Sequence, residues 1–404
     1  MNTIVENKKT VKVFDDLINP ISSDDFNANY WEKQFLYIKR DCPDFYSSLL
    51  SIEDLDKLLH YHRPKGKNLR VVNNQQPMNP SMYENQDGSL NLSQLYKAYA
   101  DGYSIIVNEI QLFWDPIKSF IQNMRLFMSH NVIGNMYLTP ANEKALSPHY
   151  DAHDVFVLQV SGEKNWILYD DENFKTPLLK SFQPIFQREY LTGAREITLK
   201  AGDMMYIPRG VPHEAYTTNE SSLHITLGVY STQWIDLITK SLLHLSQNHI
   251  ELRKALPIGF LNTDHTNLTS LEVESNLKNI LQKVFNDESI LGSFNILEEE
   301  FRMGEPPKPD GHFSHLDKMN HIHQESLLIK RENLTSKVIQ NPNDVRILFQ
   351  GNAVKGPKQI ANTLEYISQK SEAFYVKNIP FLNDENRLKL AKKLVSGGLL
   401  KIVN

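Results

Sequence analysis

One cysteine, Cys42, stands in a chain of 404 residues. With no second thiol there is no intrachain disulfide framework, and the fold must rest on packing and hydrogen bonding, as suits a reducing compartment. Long apolar runs are missing too: nothing approaches the ~20 consecutive residues that a membrane-spanning helix needs. Residues 1–15 are polar and charged and carry no apolar core of a secretory signal, so the expectation is a cytoplasmic protein without a membrane partner. Charge of one sign is not in large excess. A net −5 offers no electrostatic basis for general nucleic-acid binding. Internal repeats and low-complexity tracts are also absent.

What is present is the composition of a globular protein, 41% hydrophobic and 23% charged, in a chain too long for one ordinary core. Two or three domains are expected. Charge is uneven, since residues 331–404 hold 12 Lys and Arg against 6 Asp and Glu. That excess marks either a C-terminal module with its own partner or an ordinary solvated surface.

Up to residue 130, short strands and helices alternate. Ser51 is placed to cap a helix carrying Leu55, Leu58 and Leu59, residues 103–107 read as a strand, and 113–128 read as a helix. From 131 to 230 the texture is β, with short runs over 132–138, 155–160, 166–169, 197–199, 204–207 and 223–229. Turn chemistry at Ser161-Gly162, Thr192-Gly193, Ala201-Gly202-Asp203 and 219–222 separates them, which points to a barrel or sandwich. Helical periodicity follows, in Trp234, Ile238, Leu242 and Leu245 and again in Leu277, Ile280, Leu281 and Val284. Residues 303–317, with Pro306, Pro307 and Pro309, read as an exposed connection. A strand over 345–349, helices over 357–368 and 385–396 and a last strand give the order expected of a winged-helix-like module. The domain boundaries that follow are 1–230 (barrel core 131–230), 231–330 and 331–404.

Chemistry concentrates at two places. His149-Tyr150-Asp151 puts an imidazole and a carboxylate two residues apart, on one face if that stretch is extended. Sixty-two residues beyond Asp151, Gly202-Asp203-Met204-Met205-Tyr206-Ile207-Pro208-Arg209-Gly210-Val211-Pro212-His213 delivers a second imidazole after an apolar strand and a Pro-x-Gly turn. Two imidazoles and one carboxylate on one side of a metal leave the other side open, the arrangement of non-haem Fe(II) oxygenases. Lys164, 15 residues after His149, either pairs with the distal carboxylate of a dicarboxylate cosubstrate or is a solvated hairpin lysine. His153 and Asp154 lie close enough to suggest extra ligands, and His153, which shares the parity of His149 and Asp151, is either a substrate contact or a residue outside the metal shell. His312, His315, His321 and His323 read as solvated loop histidines.

Gly202, Pro208, Gly210 and His213 reproduce the second cupin motif, Gly-x5-Pro-x-Gly-x2-His. The stretch Ser147-Pro148-His149-Tyr150-Asp151-Ala152-His153-Asp154-Val155-Phe156-Val157, continuing to Gly162-Glu163-Lys164-Asn165-Trp166, resembles the core of the JmjC-type ribosomal oxygenases. So do Pro208-Arg209-Gly210-Val211-Pro212-His213-Glu214-Ala215, Leu223-His224-Ile225-Thr226-Leu227 and the upstream Tyr30-Trp31-Glu32-Lys33. The resemblance implies an α+β protein with a double-stranded β-helix (cupin/JmjC jelly-roll) catalytic barrel, a helical dimerisation segment and a winged-helix-like C-terminal domain. It implies His149, Asp151 and His213 as ligands of Fe(II), with 2-oxoglutarate and O2 as cosubstrates. Lys164 falls at the position that binds the 2-oxoglutarate carboxylate, Asn135 beside the cosubstrate, and Thr226 at a hydroxyl position on the last barrel strand. His224 and Tyr137 are their polar neighbours. The activity implied is hydroxylation of a histidyl or arginyl side chain of a protein, ribosomal by resemblance, by a homodimer. Other peptides, a modified tRNA base, a methylated lysine or a small molecule stay open as substrates, and a nucleic-acid-binding regulator is the non-enzymatic alternative.

Overall fold

Period-two alternation, with both faces of the sheet covered, organises the first part of the chain. The computed structural model describes residues 11–170, 176–177, 187–256, 258, 268–284, 287–305, 309–332, 334–341 and 343–403. Pro306 and Pro307 of the expected connection lie outside the described residues. The chain divides into two compact units, Met1–Ser231 and Thr232–Asn404. No described helix is long and apolar enough to cross a membrane.

In the first unit, nine strands form one antiparallel sheet: β1 (Leu36–Ile38), β2 (Leu69–Asn73), β3 (Gln76–Pro77), β4 (Ser104–Val107), β5 (Asn131–Thr139), β6 (Asp154–Tyr169), β7 (Ala194–Lys200), β8 (Met204–Ile207) and β9 (His213–Tyr230). Their order is β1-β8-β6-β9-β5-β4-β2-β3, with β7 paired to β6. Among the described residues five α-helices accompany them: α1 (Phe14–Ile18), α2 (Ser23–Asn29), α3 (Ile52–Tyr61), α4 (Leu92–Ala100) and α5 (Asp115–Met128). The α3 cap is reciprocal: the Ser51 hydroxyl accepts from the Asp54 N–H at 3.1 Å, and the Asp54 carboxylate accepts from the Ser51 N–H at 3.2 Å. Leu55, Leu58 and Leu59 face the core, as their spacing predicts.

The two faces of the sheet differ in what they bury. Phe156, Leu158, Met204, Tyr206, Val132, Met136, Ile225 and Leu227 share one core with α1, α2 and α5 through Phe14, Phe26, Ile117 and Phe120. Val155, Val157, Met205, Ile207, Trp166 and Leu168 form a second core on the opposite face. Along β5 and β9 that second face turns polar, with Asn135 and Tyr137 standing opposite Thr226 and His224. A strand that is apolar on its outer side and polar on its inner side lines a site.

The sequence reads two strands over 155–160 and 166–169 with a turn at Ser161-Gly162. The structure has one strand, β6, running through both. Gly162 serves a close approach instead of a hairpin. Its φ is +64°, and a Cβ there would lie 1.8 Å from the carbonyl oxygen of Ser221. The β6–β9 register shifts at this point, so β6 bends and continues. Residues 219–222 likewise lie within β9 and are not a turn between strands.

The second unit opens with α6 (Trp234–Asn248), α7 (Leu268–Val284), α8 (Asp287–Met303) and α9 (Phe313–Asp317). The short α9 occupies the end of what reads as an unstructured connection. Strands β10 (Leu327–Lys330), β11 (Ser336–Gln340), β12 (Val345–Phe349), β13 (Asn352–Gly356), β14 (Phe374–Tyr375) and β15 (Leu400–Ile402) make two three-stranded sheets, β14-β10-β15 and β11-β12-β13. Helices α10 (Ala361–Gln369) and α11 (Asp384–Ser396) complete a core of Val345, Ile347, Phe349, Leu364, Ile367 and Leu394. Of the helical stripe at 234–245, Leu245 is buried, whereas Trp234 is 81% exposed.

Gly162→Ala meets both a left-handed backbone and a carbonyl that cannot move without breaking β9. Urea unfolding of this variant is expected to show a loss of about 2–3 kcal/mol.

Candidate metal centre

The site is assembled by backbone before any side chain acts. His149 and His213 exchange two hydrogen bonds, His213 N–H to His149 O at 2.7 Å and His149 N–H to His213 O at 3.0 Å. The turn ahead of His213 is tied to the same loop, since Gly210 N–H donates to the Asp151 carbonyl at 2.9 Å. His149 and Asp151 therefore do not need a strand to face together. They sit on the loop before β6, joined to β9 by an isolated bridge. The two rings stand 4.6 Å apart, and Asp151 Oδ2 is 3.7 Å from His213 Nε2.

Among the described residues, His149, Asp151 and His213 are the group of three whose ligand atoms all lie within 4.8 Å of one another. The tautomers suit a metal. His149 Nδ1 faces the Ser147 carbonyl at 2.7 Å and His213 Nδ1 the Val211 carbonyl at 3.0 Å. A carbonyl only accepts, so Nδ1 carries the hydrogen and donates it, leaving each Nε2 lone pair free. Burial, then the neighbouring His149, pushes His213 down to about 4, so that imidazole is neutral at physiological pH.

Behind the triad, Leu168 pairs with His213, Trp166 with Ala215 and Lys164 with Thr217, all on the inner face. Lys164 is 2% exposed and is not a solvated hairpin lysine. Its Nζ donates to the Thr139 hydroxyl at 3.0 Å, and no carboxylate pairs with it among the described residues. Burial lowers its pKa to about 7. Above it, the Tyr137 and His224 rings stack at 4.8 Å and 2°, and Trp166 meets His224 edge-on at 5.6 Å. Burial and the Lys164 charge hold His224 well below its ordinary value. Asn135 Oδ1 accepts from the Glu109 N–H at 3.1 Å, leaving its amide hydrogens for other partners. Tyr137 hydrogen-bonds its hydroxyl to Thr226.

Among the described residues, Trp166 Nε1 and His224 Nδ1 are buried with no hydrogen-bond partner. Buried polar groups are nearly always paired, and a buried ammonium even more so. A cation with only a hydroxyl, an unmatched indole N–H and an unmatched imidazole nitrogen form a lining that a polar, anionic occupant would complete. The donor set thus fits a divalent metal with a dicarboxylate beside it.

Two neighbours read as possible ligands are engaged elsewhere. His153 stacks on Tyr230 at 4.5 Å, in space that Gly228 leaves open. Asp154 accepts from the Tyr206 hydroxyl at 2.6 Å on the outer face of the sheet. Sequence reasoning passed over Glu214, which follows His213 and points the other way. Its buried carboxylate accepts from Lys144 at 2.6 Å, the Tyr169 hydroxyl at 2.6 Å and Arg188 at 2.5 and 2.8 Å. Burial alone would raise its pKa, but these hydrogen bonds outweigh it and hold the carboxyl at about 2. The loop before His149, the end of β6 and residue 188 ahead of β7 are thereby knitted to the residue after His213.

Fold and site together define a JmjC-type cupin domain, and residues 110–237 match the family model described as JmjC domain. The chain is 31% identical over 300 residues to the bifunctional lysine-specific demethylase and histidyl-hydroxylase NO66 of Aedes aegypti, covering 71% of this chain and 47% of that protein. To the protein of the same name in Dictyostelium discoideum it is 27% identical over 429 residues, 95% of this chain and 81% of that one. The chain spans about half the length of the first curated relatives it matches. Among solved structures, the ribosomal oxygenase YcfD of Escherichia coli shares the fold, with a TM-score of 0.55 at 18% identity over 95% of this chain and 98% of that one. YcfD has also been solved with cobalt and 2-oxoglutarate, at the same TM-score and 99% coverage of that chain. Residues 110–237 thus hold a JmjC domain, in a chain similar to proteins named histidyl-hydroxylase and sharing its fold with a ribosomal oxygenase.

Glu214→Gln removes the charge that Lys144 and Arg188 share and is expected to cost about 2–3 kcal/mol at neutral pH. A depressed carboxyl stabilises the fold fully above the ordinary Glu pKa and loses that contribution as pH falls toward 2. The gap between wild type and variant in urea unfolding should therefore narrow progressively below pH ~4.5.

Proposed function

We propose that this protein is an Fe(II)- and 2-oxoglutarate-dependent dioxygenase that hydroxylates a side chain of a protein substrate, histidyl in preference to arginyl, on a ribosomal protein. The observation that carries the reading is a three-ligand His-Asp-His group on the same inner barrel face as a buried lysine with no carboxylate partner. Its two imidazoles and one carboxylate suit iron with coordination positions left open. Lys164, 2% exposed, supplies the countercharge for the distal carboxylate of 2-oxoglutarate. The curated relatives are named histidyl-hydroxylases, which supports the histidyl preference.

When bound, iron and 2-oxoglutarate supply the oxidation, with one oxygen of O2 passing to succinate and the other to the product. The chain supplies everything else. Nε2 of His149, Nε2 of His213 and the Asp151 carboxylate hold the metal from one side. Tyr137, Trp166 and His224 wall the pocket and exclude water, so the Lys164 charge acts in a low dielectric. Asn135 and Thr226 orient the cosubstrate from the β5–β9 side.

His149→Ala and Asp151→Ala are expected to abolish substrate-stimulated succinate formation, and Lys164→Ala to raise the 2-oxoglutarate KM at least ~10-fold. Because Lys164 must be charged to pair, 2-oxoglutarate affinity should fall as pH rises above about 7, with proton uptake on binding seen by calorimetry in two buffers. Full turnover by Asp151→Ala would refute the assignment. Intact-mass analysis of ribosomal proteins treated with the enzyme should show a gain of one oxygen. Loss of a methyl group from a lysine instead would favour the demethylase half of the relatives' name.

The helical segment supports a homodimer. Trp234, Ile235 and Ile238 of α6 and Leu291 and Phe294 of α8 stand 42–81% exposed, a set of large apolar side chains that a partner surface would cover. Sedimentation equilibrium is expected to give twice the chain mass of 46.7 kDa, and Trp234→Glu with Leu291→Glu to give the monomer.

A further inference from the structure

The turn that delivers His213 has a second side, on the outer face of the sheet. Arg209, between Pro208 and Gly210, has a side chain only 8% exposed. Its Nη2 pairs with Glu32 Oε1 at 2.5 Å, while Nε and Nη1 are buried with no partner among the described residues. Glu32 comes from the segment after α2, more than 170 residues earlier. Its backbone N–H donates to the Tyr206 hydroxyl at 2.9 Å, and that hydroxyl donates to Asp154 Oδ1 at 2.6 Å. Asp154 also accepts from the Arg209 N–H at 3.4 Å and the Ser231 hydroxyl at 3.3 Å. Glu32, Tyr206, Asp154 and Arg209 thus close a ring around the turn.

Two features show that the ring holds Glu32 deliberately. Its backbone is left-handed, with φ at 55°, a conformation that a non-glycine residue keeps only where its surroundings impose it. Trp31 beside it stacks on Tyr206 at 6.0 Å and on His130 at 5.6 Å, clamping the segment against the sheet.

The consequence runs through the backbone to the front. Gly210, next to Arg209, donates to the Asp151 carbonyl, and three residues further His213 bonds His149 in both directions. A guanidinium that loses Glu32 keeps only Asp154 as a nearby carboxylate among the described residues, itself already engaged by Tyr206 and Ser231, and a buried charge so poorly compensated draws toward water and pulls the turn with it. We propose that Glu32 is a positioning residue for the metal centre: through Arg209 it fixes the turn at 208–210, and through that turn the placement of Asp151 and His213. The proposal rests on the metal reading of the triad given above.

The test uses the full chain, freed of metal and titrated with Co(II) as the probe, following the d–d absorption bands. Glu32→Gln is expected to weaken Co(II) binding by about 10–100-fold and to change the bands at saturation, because the ligands no longer sit in one geometry. Adding Arg209→Met removes the stranded charge, so the double variant should bind no worse than Glu32→Gln alone, a non-additivity that separate structural damage would not produce. Hydrogen exchange over 204–213 in the metal-free protein should quicken in Glu32→Gln. A Glu32→Gln protein with a lowered melting temperature but Co(II) affinity within about twofold of wild type and unchanged bands overturns the proposal, since an indirect ligand contact typically matters by at least tenfold. If Glu32→Gln does not fold, Glu32→Asp, which keeps the charge at shorter reach, is read by the same criteria. Wild type that takes up no Co(II) would instead sink the metal reading itself.

Discussion

Two hydrogen bonds between the backbones of His149 and His213 are what the rest of the site depends on. They bring a loop and the start of β9 side by side across 64 residues of sequence, and the third ligand follows because Gly210 holds the Asp151 carbonyl. A metal needs its ligand atoms placed to a fraction of an ångström, and side chains on free loops do not supply that. Here the main-chain bonds bring the two rings together, and the Nδ1 contacts with the Ser147 and Val211 carbonyls orient each Nε2.

The sheet makes this economical. Its outer face carries Phe156, Tyr206, Ile225 and Leu227 into the core shared with the N-terminal helices, where each large side chain contributes roughly 1.5–3 kcal/mol. That leaves the inner face of β5 and β9 free to be polar. Lys164 and Trp166 of β6 and His224 of β9 are buried on that side with incomplete hydrogen bonding, a state the outer core's stability permits. Glu214 and Asp154 serve the same end from the back of the strands, tying adjoining segments to residues one and three positions from ligands.

Much of the fold was legible because its signals are local. The Ser51–Asp54 box starts α3 where the sequence places it, and the apolar spacing of Ile117, Phe120, Ile121 and Met124 gives α5. Strand runs at 132–138, 204–207 and 223–229 lie inside β5, β8 and β9. The Ser161-Gly162 pair misled, since a glycine required by Ser221 pressing on it looks the same in sequence as one required by a turn. At the site, the triad could be read from motif spacing, whereas Glu214 and the Glu32–Arg209 pair could not. Their partners lie far away in sequence, and nothing about a lone Glu distinguishes a buried acceptor of four hydrogen bonds from a solvated one.

The sequence by itself determined the chemistry on offer: two histidines and an aspartate at cupin spacing, a lysine 15 residues on, and alternation that makes one side of each strand apolar. Residue type and spacing are covalent facts, and local geometry follows from them. Only the tertiary structure decided that Lys164 is buried with no carboxylate partner among the described residues, that His153 stacks on Tyr230 and Asp154 accepts from Tyr206, and that β6 is one bent strand. Those outcomes depend on which distant segments come to lie against each residue, and burial, more than identity, sets whether a charge is solvated, paired or waiting for a ligand.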